Sequence, residues 1–391
     1  MNMVFDKEYF DAGLYRVGTR CEKWDGCRAE HGAEALPLWV ADMDFPSPPA
    51  VTEALIRRAA HPTYGYTQVL DDDRDALINF WQRRHGLTMT RESIMLLPCV
   101  VSGMRVTLNA LTQPGDGVII TSPVYGPFRF SIAATGRKLM DCPMLCDEEG
   151  RYSLNYAAIE DALNNGAKAM ILCNPHNPVS RMWTRDELVK LIDLLRSHDA
   201  YLISDEIHAD FELPGFKFTP ALSIETKGVV SLCAPSKTFN LAGLQFAYCV
   251  ALDEEIRDKV QKTIESSGVV AGNIFGLEAS RAAYNEGEAW LDGLLTYIGG
   301  NVECFKALVA EHLPKAKLTP MEATYLAWLD VSAYGFKCDE LAKRTEAVGV
   351  IFTGGAFFGE ETGEYHLRIN LACPRRYLEE GVLRLKKALE A

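Results

Sequence analysis

The chain has 391 residues, 48% of them hydrophobic, which is enough to bury a large core divided into two or three domains. Forty Lys+Arg stand against 53 Asp+Glu, a net charge of -13, and no basic run breaks the balance, so nucleic acid is excluded as an expected partner. Eleven cysteines are scattered with no CxxC pair, which points to reduced thiols and away from a disulfide framework or a metal site.

Met1 to Glu8 show no basic region followed by an apolar stretch, and no window approaches 18 uncharged apolar residues. The expectation is a soluble, cytoplasmic protein without a membrane span. Residues 1–48 lack clear helical periodicity but carry Trp24, Trp39 and the stretch Leu38 to Pro46. They are expected to form an aromatic-rich arm with little structure of its own, packed on another part of the protein. From Pro49, residues 51–59 begin like a helix, and residues 74–81 carry the apolar stripe of another. The loop between them holds two exposed-looking tyrosines, Tyr64 and Tyr66.

The central part alternates strand and helix. Residues 94–97 lead through Pro98 and Cys99 into a helix reaching about Thr112, and residues 117–121 form a strand ending near Tyr125. Residues 169–173 run into Asn174-Pro175-His176-Asn177-Pro178, residues 201–204 into Asp205-Glu206-Ile207-His208, and residues 229–234 into Pro235-Ser236-Lys237. These strands are hydrophobic throughout, as a sheet covered on both faces requires, so an α/β domain with a mostly parallel sheet is expected. Ligands of such domains bind beyond the carboxyl ends of the strands, where Tyr125, Asn177, Asp205 and Lys237 would converge. The amides of Val100 and Val101 open a helix and could receive a phosphate.

Lys237 follows a short buried strand and precedes a small-residue turn. Partial desolvation there lowers an amine pKa and suits a Schiff-base lysine, although taken alone an ordinary loop lysine is the commoner explanation. After about residue 286 the pattern changes to helices at 290–309 and 338–348 and strands at 323–330 and 366–371, the signature of a smaller α+β domain. Arg368 sits alone in an apolar strand, so it either pairs with a protein carboxylate or awaits an anionic ligand.

Six segments in order, residues 39–45, 173–179, 204–208, 236–240, 324–330 and 368–374, resemble the fold-type-I pyridoxal 5'-phosphate (PLP) enzymes. Within them the match is to the carbon-sulfur lyase branch that includes cystathionine β-lyases of the MalY/PatB kind. The resemblance implies an aminotransferase-like fold: an arm at 1–48 packing with the small domain, a large PLP-binding domain at 49–285 with a mostly parallel, seven-stranded-type sheet, and a small domain at 286–391.

By the same resemblance Lys237 is the Schiff-base lysine and general base, and Asp205 pairs with the pyridine nitrogen. Asn177 donates to the phenolic oxygen, Tyr125 lies beside the ring, and His208 is a further cofactor-binding position. Val100 and Val101 offer amides to phosphate, Tyr66 reaches it from the partner of a homodimer with shared active sites, and Arg368 holds the substrate α-carboxylate.

Four positions depart from the pattern. Cys99 and Ser180 replace glycines, which could weaken phosphate binding if those glycines supplied positive φ or close approach, and Ala234 lacks a hydroxyl found in some relatives. Gln245 stands where many aminotransferases have a phosphate-binding arginine, which favours a lyase. The implied activity is α,β-elimination from L-cystathionine, L-cysteine or S-conjugates, giving a thiol, pyruvate and ammonia. The alternatives are an aminotransferase on the same site or a PLP-binding regulatory protein.

Overall fold

The computed structural model describes residues 4–269 and 272–391. Seven strands form the large sheet: β1 (Ile94–Leu97), β2 (Gly117–Ile120), β3 (Lys138–Asp141), β4 (Ala167–Cys173), β5 (Tyr201–Asp205), β6 (Val229–Cys233) and β7 (Ala247–Val250). Their spatial order is β1-β7-β6-β5-β4-β2-β3, and only β7 runs against its neighbours.

Alternate residues of each strand serve opposite faces, which explains the unbroken apolar runs. Ile119, Met170, Leu172 and Leu202 face one core, where the helix Arg185–Ser197 adds Leu188, Leu191 and Leu195. Val118, Ile120, Ile171 and Ile203 face the other, where the helix Val100–Leu111 adds Met104 and Leu108. Each such fully buried side chain contributes about 1.5–3 kcal/mol. Gly103 lets that second helix sit close, because a Cβ there would come within 2.6 Å of Leu97.

A second sheet has Leu326–Asp330 and His366–Asn370 paired antiparallel at its centre, with Lys317–Leu318 and Thr353–Gly354 on the edges. The strand expected from Ala323 begins only at Leu326, because Thr324 takes a left-handed φ of 61° and breaks the extended run.

The arm corrects the expectation of little structure. It forms short helical pieces at Lys7–Ala12, Glu22–Gly26 and Cys27–His31, and its Leu36–Pro37 pairs in parallel with Val350–Ile351. Five or six residues are too few to show periodicity, so these turns are specified by caps and packing instead. Asp6 caps the first by accepting from the Tyr9 amide, and Phe10 packs among Phe45, Trp290 and Tyr297. The arm is also tied down by charge: Arg16 and Lys23 bridge Asp42 and Asp44, and Lys23 and Asp44 are fully buried.

Candidate active site

At the carboxyl ends of the parallel strands lies a cavity of about 410 Å³. Asp205 ends β5 and His208 follows in the next turn, Asn177 lies just beyond β4, and Tyr125 lies beyond β2. Lys237 sits in the single helical turn Pro235–Thr238 that follows β6. Arg368 reaches the cavity from the centre of the second sheet, where it stands opposite Trp328 and Thr353.

The Lys237 amine donates to the Ala41 carbonyl at 2.6 Å. Although the residue keeps part of its surface open to the cavity, its amine is enclosed enough that burial pulls its pKa down to about 8. The Arg368 charge acts in the same direction, and Asp42 and Asp205 oppose it.

Asp205 is 3% exposed, accepts the Ile207 amide at 3.2 Å, and makes no ion pair with any described residue. Burial raises its pKa to about 7, with the adjacent Glu206 adding to the rise. His208 is driven down to about 3 by burial and by the charges of Lys237 and Arg368, so its ring is neutral at physiological pH. The buried Nδ1 of that ring has no partner among the described residues.

Arg368 pairs with no carboxylate among the described residues. It donates to the Trp39 carbonyl at 2.7 Å, to Thr353 Oγ1 at 3.3 Å and to Asn177 Oδ1 at 3.2 Å, while its Nε is buried without a partner. Burial lowers its pKa to about 10. Of the two explanations open for this residue, pairing within the protein is therefore not realised. Asn177, turned with its oxygen toward the guanidinium, donates from Nδ2 to no described group.

Val100 and Val101 begin a helix of 12 residues with no side-chain cap, so their amides face the cavity unclaimed. Cys99 precedes them in extended backbone (φ -160°), a conformation open to any residue, so glycine is not required there. Ser180 does take a left-handed φ of 56°, but its hydroxyl turns away from the cavity to the Ala323 carbonyl and Thr324 Oγ1. Gln245 lies on the cavity wall as a neutral amide.

Tyr66 is the exception among the residues singled out from sequence: it lies fully exposed on the loop between helices Pro49–Ala59 and Asp71–His85 and does not line this chain's cavity. Several wall residues escaped sequence reasoning. Thr353 and Phe357 carry no spacing signature, and Ser236 and Trp39 to Ala41 fall in segments that carried the resemblance without being assigned a role at the site.

Residues 34–385 match the family model described as aminotransferase class I and II. The chain is 40% identical over 386 residues to the cystathionine beta-lyase PatB of Bacillus subtilis, covering 97% of this chain and 99% of that protein. It is 31% identical to the protein MalY of Escherichia coli, covering 98% and 99%. Among solved structures, cystalysin of Treponema denticola, which contains pyridoxal 5'-phosphate, superposes with a TM-score of 0.94 at 32% identity over 99% of both chains. The PLP-bound C-S lyase of Staphylococcus hominis gives 0.90 at 29% identity, covering 98% of both chains.

Proposed function

The chain belongs to the aminotransferase class I and II family, and from that premise we propose how its cavity carries out carbon-sulfur bond cleavage. The protein is a PLP-dependent carbon-sulfur β-lyase.

The side chains of the cavity fit that cofactor. A buried carboxylate without a cation suits a protonated pyridine nitrogen, the unclaimed amides of Val100 and Val101 suit a phosphate, and the neutral His208 and the free Nδ2 of Asn177 suit the ring's polar edge. Lys237 is the amine that would anchor it, and Tyr125 lies on the same wall. When bound, the cofactor supplies an electron sink for the charge left at a substrate Cα.

The remaining chemistry belongs to the protein. Arg368 binds the substrate α-carboxylate through its two-nitrogen fork, which orients the Cα hydrogen. Lys237, its pKa lowered by burial to about 8, is about one-tenth neutral at pH 7 against well under a hundredth for an ordinary lysine, and it removes that proton. Ionised Asp205 would hold a protonated ring nitrogen, and Asn177, whose Oδ1 accepts from Arg368, would keep Nδ2 free for the ring's oxygen. The C–S bond then breaks with its electron pair leaving on sulfur, and addition of water gives pyruvate and ammonia.

One observation carries this reading: a carboxylate and a guanidinium, both buried and neither in an ion pair among the described residues, line the same cavity as an amine whose pKa burial has lowered to about 8. L-Cystathionine, L-cysteine and its S-conjugates are the proposed substrates. The test is incubation of the pure, cofactor-loaded protein with L-cystathionine and no 2-oxo acid. Pyruvate and a free thiol are expected, and product that forms only when a 2-oxo acid is added would make the protein a transaminase.

The proposed active unit is a homodimer. Tyr64, Tyr66, Leu70 and Ile56 are all exposed around one loop, and Tyr66, which does not line its own cavity, is the residue proposed to reach the partner's. The proposed division is an arm at 1–48, a cofactor-holding domain at 49–285 and a small domain at 286–391. Among the described residues no helix is long and apolar enough to cross a membrane, and the proposed location is the cytoplasm.

A further inference from the structure

The turn that carries Lys237 is only four residues long, and the next residue, Phe239, already leaves the helical conformation. A single turn is a poor platform for a base that must meet a proton within a fraction of an ångström. Something beyond the turn has to fix its position.

Behind the cavity, Thr238 donates its hydroxyl to Asp210 Oδ2 at 2.6 Å, and His85 Nε2 lies 2.8 Å from Asp210 Oδ1. All three side chains are buried: Thr238 is 1% exposed, and the side chains of His85 and Asp210 are 2% and 7% exposed. Hydrogen bonds from His85 and Thr238, with the His85 charge, outweigh burial and hold the Asp210 pKa below the ordinary carboxylate range, so Asp210 is ionised. His85 is itself held between Trp81 and Phe218, at 4.8 and 5.1 Å between ring centroids.

Asp210 belongs to the loop that leaves β5 with Asp205 and His208. That loop is braced internally, because the Ala209 amide donates to the Glu206 carbonyl and the Phe211 amide to the His208 carbonyl. Asp205 and His208 line the cavity, whereas Asp210 and Thr238 do not. The contact therefore joins the loop bearing Asp205 and His208 to the turn bearing the base, from behind.

We propose that Asp210 is a positioning residue: through Thr238 it sets Lys237 at a fixed separation from Asp205 and His208, with His85 as its buried partner. This rests on the reading of Lys237 as the base. A side chain that only stabilised the fold would change unfolding behaviour. One that sets the separation of these groups must also change the electronic surroundings of the bound cofactor and the rate of proton removal, while leaving substrate binding at Arg368 intact.

The experiment compares Thr238→Val, which keeps the shape and removes the hydroxyl, with Thr238→Ser, which keeps the hydroxyl, both as cofactor-loaded protein. Thr238→Val should lower kcat by about 10- to 100-fold with KM within about threefold, and move the pH midpoint of the cofactor's visible band by about half a unit or more. Thr238→Ser should restore both to near the wild-type values. Wild-type kcat and an unmoved midpoint in folded Thr238→Val would overturn the proposal, as would a Thr238→Ser variant as impaired as Thr238→Val. If Thr238→Val does not fold, Asp210→Asn decides by the same midpoint: a shift supports the pairing and an unmoved band overturns it. Wild-type protein that releases no pyruvate counts against the lyase reading alone, because the band reports on the pairing without turnover.

Discussion

Replacing Asp205 with asparagine should stabilise the cofactor-stripped protein at pH 8 while lowering the activity of the loaded one. In the folded chain, burial moves this carboxyl from its ordinary 3.8 to about 7. Between those two values folding takes up a proton, so the stability that protonation confers is lost as pH rises through the folded pKa. Above pH 7 the folded chain holds a buried carboxylate that the unfolded chain exposes to water. The cost relative to a neutral side chain is about 4 kcal/mol at pH 8 and under about 2 kcal/mol at pH 5. Glu206, also raised to about 7 by burial, is present in both proteins, and because its charge adds to the rise at Asp205 the substitution also relieves that repulsion. Urea unfolding of stripped wild type and Asp205→Asn across this range should show the variant's advantage growing with pH and levelling off above about pH 7. With cofactor present the same substitution should lower kcat/KM by at least about 100-fold, because a charge-assisted contact in an enclosed site is worth about 3 kcal/mol. A stability difference that stays flat from pH 5 to 8, or that favours wild type at pH 8, would refute the reasoning.

Arg368→Lys should raise KM for the amino acid by about tenfold or more while the visible band persists, since one ammonium cannot reproduce a two-nitrogen fork; loss of cofactor with KM unchanged would mark Arg368 as structural. Mixing Lys237→Ala protein with an inactive Tyr66 variant under conditions of subunit exchange should return activity, because a hybrid dimer assembles one site from the intact residue of each chain. Exchange without recovery, or a fully active Tyr66→Phe, would remove Tyr66 from the site.

Most of the large sheet was legible because its strands are covered on both faces and read as continuous apolar runs. β3 and β7 were not identified: at the sheet edge Lys138, Leu139 and Asp141 are exposed and leave no such run, whereas β7 is buried throughout but only four residues long. The arm's helices were illegible because five or six residues show no period and contacts such as Phe10 on Trp290 join residues that no local window contains. At the site, Lys237 and Arg368 stood out because each is a charge in apolar surroundings. His85, Asp210 and Thr238 did not: His85 and Asp210 lie 125 residues apart, and only the fold reveals that they meet.

The cavity is costly for the protein to maintain, and that cost points to its use. Asp205, Arg368 and Lys237 are each shifted by burial toward the uncharged form, and Arg368 Nε and His208 Nδ1 lack partners among the described residues. A fold selected only for stability would pair such groups or replace them with apolar ones. Elsewhere several buried charges are paired: Lys23 with Asp44, Arg181 with Glu322, and Asp210 with His85 and Thr238. Asp205, Arg368 and Lys237 instead gather around one cavity, where a ring nitrogen, a carboxylate and a substrate proton would each satisfy one of them. On the proposed function, the same groups that destabilise the stripped chain would supply the binding and proton transfer of the loaded one.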